Sequence, residues 1–178
     1  EVLQQQVSTC RQCKLCETRT QTVFGKGNRA SRLLLIGEAP GAEEDRQGLP
    51  FVGKAGQLLD NMLQAIGMDL ESCYIANVLK CRPPGNRNPA PDEVLACSDY
   101  LQAQIAMIKP DVILALGRFA AHSLLQSEEA IGSLRRRQHD YQGIPLHVTF
   151  HPAYLLRSPN EKAKAWQDLL AVKKTLQA

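Results

Sequence analysis

The chain has 178 residues, 44% of them hydrophobic, which is enough for one domain with a single core and too little for two ordinary domains, so we expect residues 1–178 to form one domain. Lys and Arg outnumber Asp and Glu by 21 to 18, and the resulting net charge of +3 permits an anionic partner without requiring one. No apolar segment approaches the roughly 20 residues of a membrane span, and the N-terminus lacks the pattern of a secretory signal, so we expect a cytoplasmic protein without membrane contact.

Four short apolar runs predict buried β-strands, at Leu33 to Ile36, Tyr74 to Val78, Val112 to Leu116 and Leu146 to Phe150. Helical patterns follow them, at Lys54 to Met68, from Pro91 to just before Pro110, at Arg118 to Gln126 and at Glu161 to Gln177. Alternating strands and helices predict an α/β fold, a three-layer sandwich with a central four-stranded parallel sheet.

Ligands of such sheets bind beyond the carboxyl ends of the strands. The residues that follow the predicted strands are therefore the first candidates for a site, and they are Gly37 with Glu38, Asn77, Gly117 and His151.

Cysteines are the strongest chemical signal in the chain. Cys10 and Cys13 form a C-x2-C pair, Cys16 repeats the spacing, and Cys81 and Cys97 lie on either side of a loop and a first helical turn. Two close and two distant thiolates are typical of a tetrahedral zinc site or of a cubane iron–sulfur cluster, and the spacing leaves both open. Cys16 is an alternative to Cys10 or Cys13 as a ligand.

Two charged segments are less specific. The turn that ends with Glu43 to Asp45 lacks a dinucleotide-binding pattern, so no nucleotide cofactor is indicated. Its carboxylates would suit a site that orients a water or stabilises a developing cation, but we interpret Glu43 to Asp45 as a solvated loop and leave a Mg²⁺ role open. The basic run from Arg135 to Arg137, with His139, is as typical of a solvated surface as of a nucleic-acid interface.

Four segments together resemble the motifs of family-4 uracil-DNA glycosylases, and they occur in the order of that family. They are Gly37 to Gly41, Gly48 to Gly56, Asn77 to Pro84 and His151 to Arg157. The resemblance implies the uracil-DNA glycosylase fold and release of free uracil from single- and double-stranded DNA, which leaves an abasic site. It also implies a [4Fe-4S] cluster, bound by Cys10, Cys13, Cys81 and Cys97.

The same resemblance implies a base-binding pocket. Asn77 would read the Watson–Crick edge of uracil, since a side-chain amide offers both a donor and an acceptor. Phe51 would stack on the flipped base, and Gly37 and Ala39 would complete the pocket with backbone groups. His151 would donate to uracil O2 while negative charge builds on the departing base.

For the hydrolytic water we predict Glu38 as the positioning carboxylate and Glu44 as the second choice. No metal is expected to take part in the chemistry, and the cluster is expected to be structural, although the sequence leaves a redox role open.

Contacts with DNA are predicted on two segments. Lys80 and Arg82 would lie near phosphates. In the last motif, Leu155 is preferred to Leu156 as the apolar wedge that enters the vacated base stack, and Arg157 would hold a flanking phosphate.

Two other functions fit the sequence less well. Relatives that capture uracil-DNA covalently without turnover carry a Lys-Arg-Arg-Ile-His stretch, but the segment from Arg82 to Pro89 contains no histidine. A zinc module, or a domain that serves a polymerase assembly, would not need Asn77, His151 and Glu38 together. We therefore expect a monomeric enzyme that acts on uracil-containing DNA; a sliding clamp and other repair proteins stay open as partners.

Overall fold

A six-stranded sheet forms the centre of the molecule in a computed structural model that describes residues 1–178. Its strands are β1 (Lys26–Gly27), β2 (Leu33–Gly37), β3 (Tyr74–Asn77), β4 (Val112–Leu116), β5 (His139–Tyr141) and β6 (Ile144–Thr149), in the order β1-β3-β2-β4-β6-β5. The four inner strands are parallel, which confirms the predicted sheet. The two outer strands are antiparallel to their neighbours and were not predicted, because two or three partly exposed residues form no apolar run.

Eight helices accompany the sheet. They are α1 (Val2–Ser8), α2 (Ala42–Gln47), α3 (Lys54–Gln64), α4 (Pro91–Ile108), α5 (Arg118–Leu125), α6 (Ile131–Leu134), α7 (Pro152–Arg157) and α8 (Lys162–Gln177). Helices α3, α4, α5 and α8 confirm the predicted ones. No helix of the structure combines the length and the apolar character needed to cross a membrane.

The prediction of a loop at Glu43 to Asp45 is wrong, because these residues lie in α2. The helix begins where the Glu44 side chain accepts a hydrogen bond from the backbone N–H of Gly41, and it ends at Gly48, whose positive φ of 77° suits a helix C-cap. Three carboxylates in the first turn also interact favourably with the helix dipole.

Strands β2 and β4 are buried along their whole length, as expected for parallel strands covered on both faces. Alternate residues divide the core into two layers. Leu33, Leu35 and Leu114 pack on the side of α3 and α8, and Leu34 and Ile113 pack on the side of α4 and α5. This arrangement leaves the carboxyl ends of the inner strands as the place where polar side chains gather.

The N-terminal segment is attached near the end of β3. Leu15 is buried against Leu79, Cys81 and Cys97, and the Asp45 carboxylate accepts a hydrogen bond of 2.9 Å from the backbone N–H of Thr20. The segment thus brings the first cysteines of the chain toward the two distant ones.

Candidate active site

A cleft of about 680 Å³ lies at the carboxyl ends of the four parallel strands. The backbone of β2 continues to pair beyond the strand, since Gly37 O accepts a hydrogen bond from Val78 N and Glu38 O accepts one from Leu79 N. Most of the predicted site residues line the cleft, namely Glu38, Ala39, Glu44, Phe51, Asn77, Gly117, His151 and Arg157. The topology therefore gathers residues that are more than 100 positions apart in the sequence.

Asn77 ends β3 and is 2% exposed. Its Oδ1 atom has no hydrogen-bond partner. Every other buried side-chain N or O atom of the structure has one. A buried polar atom without a partner is costly, and native proteins usually satisfy such atoms with a protein group, a water or a ligand. The Asn77 oxygen is therefore available to a hydrogen-bond donor of a bound molecule.

Phe51 lies beside Asn77 in a strained backbone conformation, with a positive φ of 54°. An added Cβ at Gly37 would lie 2.5 Å from Asn77 Oδ1 and 2.8 Å from the Phe51 ring, so only glycine allows the two side chains to meet there. Glu44 supports the strained turn, because its second carboxylate oxygen accepts a hydrogen bond of 3.0 Å from Val52 N. Strain held in this way is common at ligand-binding sites.

His151 follows β6 and caps α7. Its Nδ1 accepts a hydrogen bond of 3.0 Å from Ala153 N, so the neutral ring carries its hydrogen on Nε2. Burial, with a smaller effect of Arg157, lowers the pKa of His151 to about 4. The ring stacks on Phe51 with 5.5 Å between the centroids and 27° between the planes. His151 is thus a neutral hydrogen-bond donor at neutral pH.

Glu38 and Glu44 have different surroundings. Burial raises the pKa of Glu38, and the guanidinium of Arg118 opposes this shift in part. Both oxygens of Glu44 accept backbone hydrogen bonds, from Gly41 N and Val52 N, and thereby connect α2 to the Phe51 turn. Glu38 is consequently the carboxylate with the freer oxygens, whereas Glu44 holds the wall of the cleft.

Arginines line the rim of the cleft. Arg118 begins α5 and Arg157 ends α7; both are exposed. The predicted Arg82 is half-buried and donates to the Asn86 side chain at 2.8 Å, and Arg87 forms a bidentate ion pair with the buried Glu93. Sequence reasoning named Gly117 but missed Arg118, although its place directly after a strand end was the signal that could have revealed it.

Two predicted DNA contacts are wrong. Lys80 is 1% exposed, and its ammonium group donates to Gln104 Oε1 and to the backbone oxygens of Asn77 and Phe24, so it cannot reach a phosphate. Leu155 is fully buried against Phe150 and cannot act as a wedge. Its neighbour Leu156 is 43% exposed.

Five of the six cysteines line one small cavity. They are Cys10, Cys13, Cys16, Cys81 and Cys97. Two thiol sulfurs accept hydrogen bonds, at 3.3 Å from the Arg19 guanidinium to Cys81 Sγ and at 3.4 Å from the Lys80 backbone N to Cys97 Sγ. No three Cys, His, Asp or Glu side chains converge closely enough for a single metal ion.

The other charged segments have internal partners. Glu43 pairs with Arg46, and Asp45 accepts the hydrogen bond of Thr20, so these carboxylates do not converge on one point. In the basic run, Arg135 is almost buried and pairs with Asp168. The carboxylate segment therefore offers no metal site, and Arg135 is not available to a nucleic acid.

Comparison with known proteins gives a consistent family. Residues 24–170 match the family model described as the uracil DNA glycosylase superfamily. The type-4 uracil-DNA glycosylase of Thermotoga maritima is 44% identical over 169 residues, and the alignment covers 92% of this chain and 86% of the relative. The type-4 enzyme of Archaeoglobus fulgidus is 42% identical with the same coverage, and a type-5 uracil-DNA glycosylase of Thermus thermophilus is 33% identical over 67% of this chain and 59% of the relative.

Proposed function

The chain belongs to the type-4 uracil-DNA glycosylases of the uracil-DNA glycosylase superfamily, and we propose that it hydrolyses the N-glycosidic bond of uracil in single- and double-stranded DNA. The products are free uracil and an abasic site. One chain supplies all the residues assigned to the cleft, so the proposed reaction needs no second subunit, and we propose that the enzyme acts on DNA as a monomer.

The observation that carries the proposal is the unpartnered oxygen of Asn77. Uracil presents an N3–H donor beside the O4 acceptor on its Watson–Crick edge. The Asn77 amide can form hydrogen bonds with both groups, with Oδ1 accepting from N3–H and Nδ2 donating to O4. Cytosine has an acceptor and a donor in the reverse order, so the same amide orientation rejects it. The Phe51 ring stacks on the flipped base.

His151 stabilises the leaving group. Cleavage of the N-glycosidic bond leaves negative charge on uracil, and the neutral Nε2–H of His151 donates to O2, where part of that charge develops. The hydrogen bond from Ala153 N to Nδ1 fixes the ring in the donor tautomer. A charged imidazolium is not needed, because a preorganised neutral donor in a buried site already stabilises the anion.

Glu38 orients the water. Its carboxylate accepts a proton from the water while the water oxygen bonds to C1′ of the sugar and the bond to uracil N1 breaks. Uracil leaves with the bonding electrons as an anion and later takes a proton from solvent. The carboxylate also faces the positive charge that develops on the sugar, and no divalent ion is assigned a role.

Base flipping is part of the proposal because Asn77, which would read the base, is buried in the cleft, where a base stacked in a duplex does not reach. Rotating a paired base out of a duplex costs a few kcal/mol, and proteins commonly offset the cost with an apolar side chain that enters the stack. Leu156 replaces Leu155 as the proposed wedge, because it is the exposed leucine of α7. Arg118 and Arg157 are the proposed phosphate contacts of the rim.

The thiol-lined cavity fits an iron–sulfur cluster better than zinc. A single zinc ion needs its thiolates within about 2.3 Å of one point, and no such convergence exists here. A cubane carries one iron at each ligated corner and keeps its thiolates further apart. Cys10, Cys13, Cys81 and Cys97 would hold it, and when bound it would tie the N-terminal segment to α4 and to the loop after β3.

The test is excision from a uracil-containing oligonucleotide, single-stranded and duplex, with and without EDTA. We expect free uracil and an alkali-labile abasic site at the same rate under both conditions. A tight complex without base release would favour the alternative, a uracil-DNA binding protein without turnover. Dependence on added Mg²⁺ would contradict the proposed metal-free chemistry.

A further inference from the structure

The buried ammonium group of Lys80 has no carboxylate partner. Its three hydrogen-bond acceptors are neutral, namely Gln104 Oε1, Asn77 O at 3.0 Å and Phe24 O at 3.2 Å. None of the ion pairs of the structure includes Lys80. A buried charge costs several kcal/mol unless an opposite charge compensates it. Lys80 therefore has hydrogen-bond partners, but no carboxylate of the protein compensates its charge.

The cysteine-lined cavity next to it would supply negative charge when its thiolates bind a cluster. Lys80 lines the cavity itself, its backbone N–H donates to Cys97 Sγ, and Cys81 follows it in the sequence. A second cation approaches from the N-terminal segment, where the half-buried Arg19 guanidinium donates to Cys81 Sγ at 3.3 Å and forms no ion pair with a carboxylate. Thiols are neutral and would leave both cations uncompensated, whereas metal-bound thiolates would balance them.

We propose that Lys80 and Arg19 are the counter-charges of the cluster thiolates, and that they favour the more negative, reduced state of the cluster and help retain its iron. The inference rests on the cluster assigned under the proposed function. Net charge and hydrogen bonds to sulfur set the potential of such clusters, so a missing cation lowers the reduction potential. The effect of Lys80 exceeds that of Arg19, because a buried charge is less screened by solvent.

The test compares purified holoprotein variants under anaerobic conditions. Lys80→Gln removes the charge and keeps an amide donor, Lys80→Arg keeps the charge, and Arg19→Gln removes the second cation. Lys174→Gln is the matched control, since it removes one charge from α8, which contributes no residue to the cavity. The readouts are iron content, the midpoint potential of the couple in protein-film voltammetry, and the rate of iron release to a chelator.

We expect more negative midpoint potentials and faster iron release for Lys80→Gln and, to a smaller extent, for Arg19→Gln, with Lys80→Arg and Lys174→Gln close to the parent protein. If Lys80→Gln does not fold, the inference is tested with Arg19→Gln, because the Arg19 side chain is only half-buried and its replacement perturbs the fold less. If both charge-removing variants keep the midpoint potential and the iron-release rate of the parent protein, the inference is overturned while the cluster stands. A parent protein without iron overturns the cluster assignment, and the inference with it.

Discussion

Leu155 and Leu156 are adjacent in α7 but have opposite surroundings, and truncating each to alanine separates packing from DNA distortion. Leu155 is fully buried against Phe150 and Ala165, whereas Leu156 is 43% exposed. Each variant is the matched control of the other, since both remove the same atoms from the same helix.

The expected magnitudes follow from burial. Leu155→Ala leaves a cavity in a packed cluster and should cost about 2–5 kcal/mol. In a domain of this size such a loss lowers the melting temperature by roughly 5–15 °C. Leu156→Ala should change stability by no more than about 0.5 kcal/mol. Leu156→Ala should instead affect the reaction on DNA. Loss of the wedge should slow excision from a duplex by roughly tenfold, equivalent to about 1.4 kcal/mol.

Thermal melts and single-turnover excision from matched single-stranded and duplex oligonucleotides check both effects. Leu156→Ala should slow excision from the duplex alone, because a single-stranded uracil needs little extrusion. Two results would refute the reasoning. One is parent-like melting of Leu155→Ala, and the other is equal slowing on both substrates by Leu156→Ala.

Three further predictions concern the site and the cysteines. Asn77→Asp keeps the shape but loses the donor to uracil O4, so excision should fall roughly 100-fold, or by about 2.7 kcal/mol, in single-turnover assays; unchanged excision would remove Asn77 from base recognition. Burial raises the pKa of Glu38, and the carboxylate acts as a base only when it is ionised, so the rate of excision should fall as the pH drops through that raised pKa. Glu38→Gln should be slow and should lose this decrease at low pH. Because the pKa of His151 is about 4, the pH dependence of excision should show no inflection near pH 6.5. An inflection at that pH that disappears in His151→Gln would contradict a neutral donor. Cys97→Ser should lose iron and melt earlier than Cys16→Ser, whereas equal and severe losses would mean that the ligands are assigned wrongly.

The fold was predictable because its inner strands are continuous apolar runs. Leu33 to Ile36 and Val112 to Leu116 are buried on both faces, and such runs predict covered parallel strands without further information. The topological rule then placed Asn77 and His151 in one cleft, although 73 residues separate them in the numbering.

The environments of Lys80 and Leu155 could not be predicted in the same way. A lysine in a loop is usually exposed, but the ammonium group of the buried Lys80 has acceptors from Gln104 and Phe24, both distant in sequence. Two consecutive leucines on a helix differ by about 100° in direction, and the sequence does not show which of them faces Phe150.

The short outer strands of the sheet affect how the protein behaves at high concentration. Strand β1 has two residues and β5 has three, and each covers the side of a parallel strand that would otherwise present free N–H and C=O groups. A long exposed strand edge invites pairing with another chain, and natural proteins shorten or cover such edges. These five residues therefore protect the molecule against edge-to-edge aggregation, and insertions that lengthen either strand would weaken that protection.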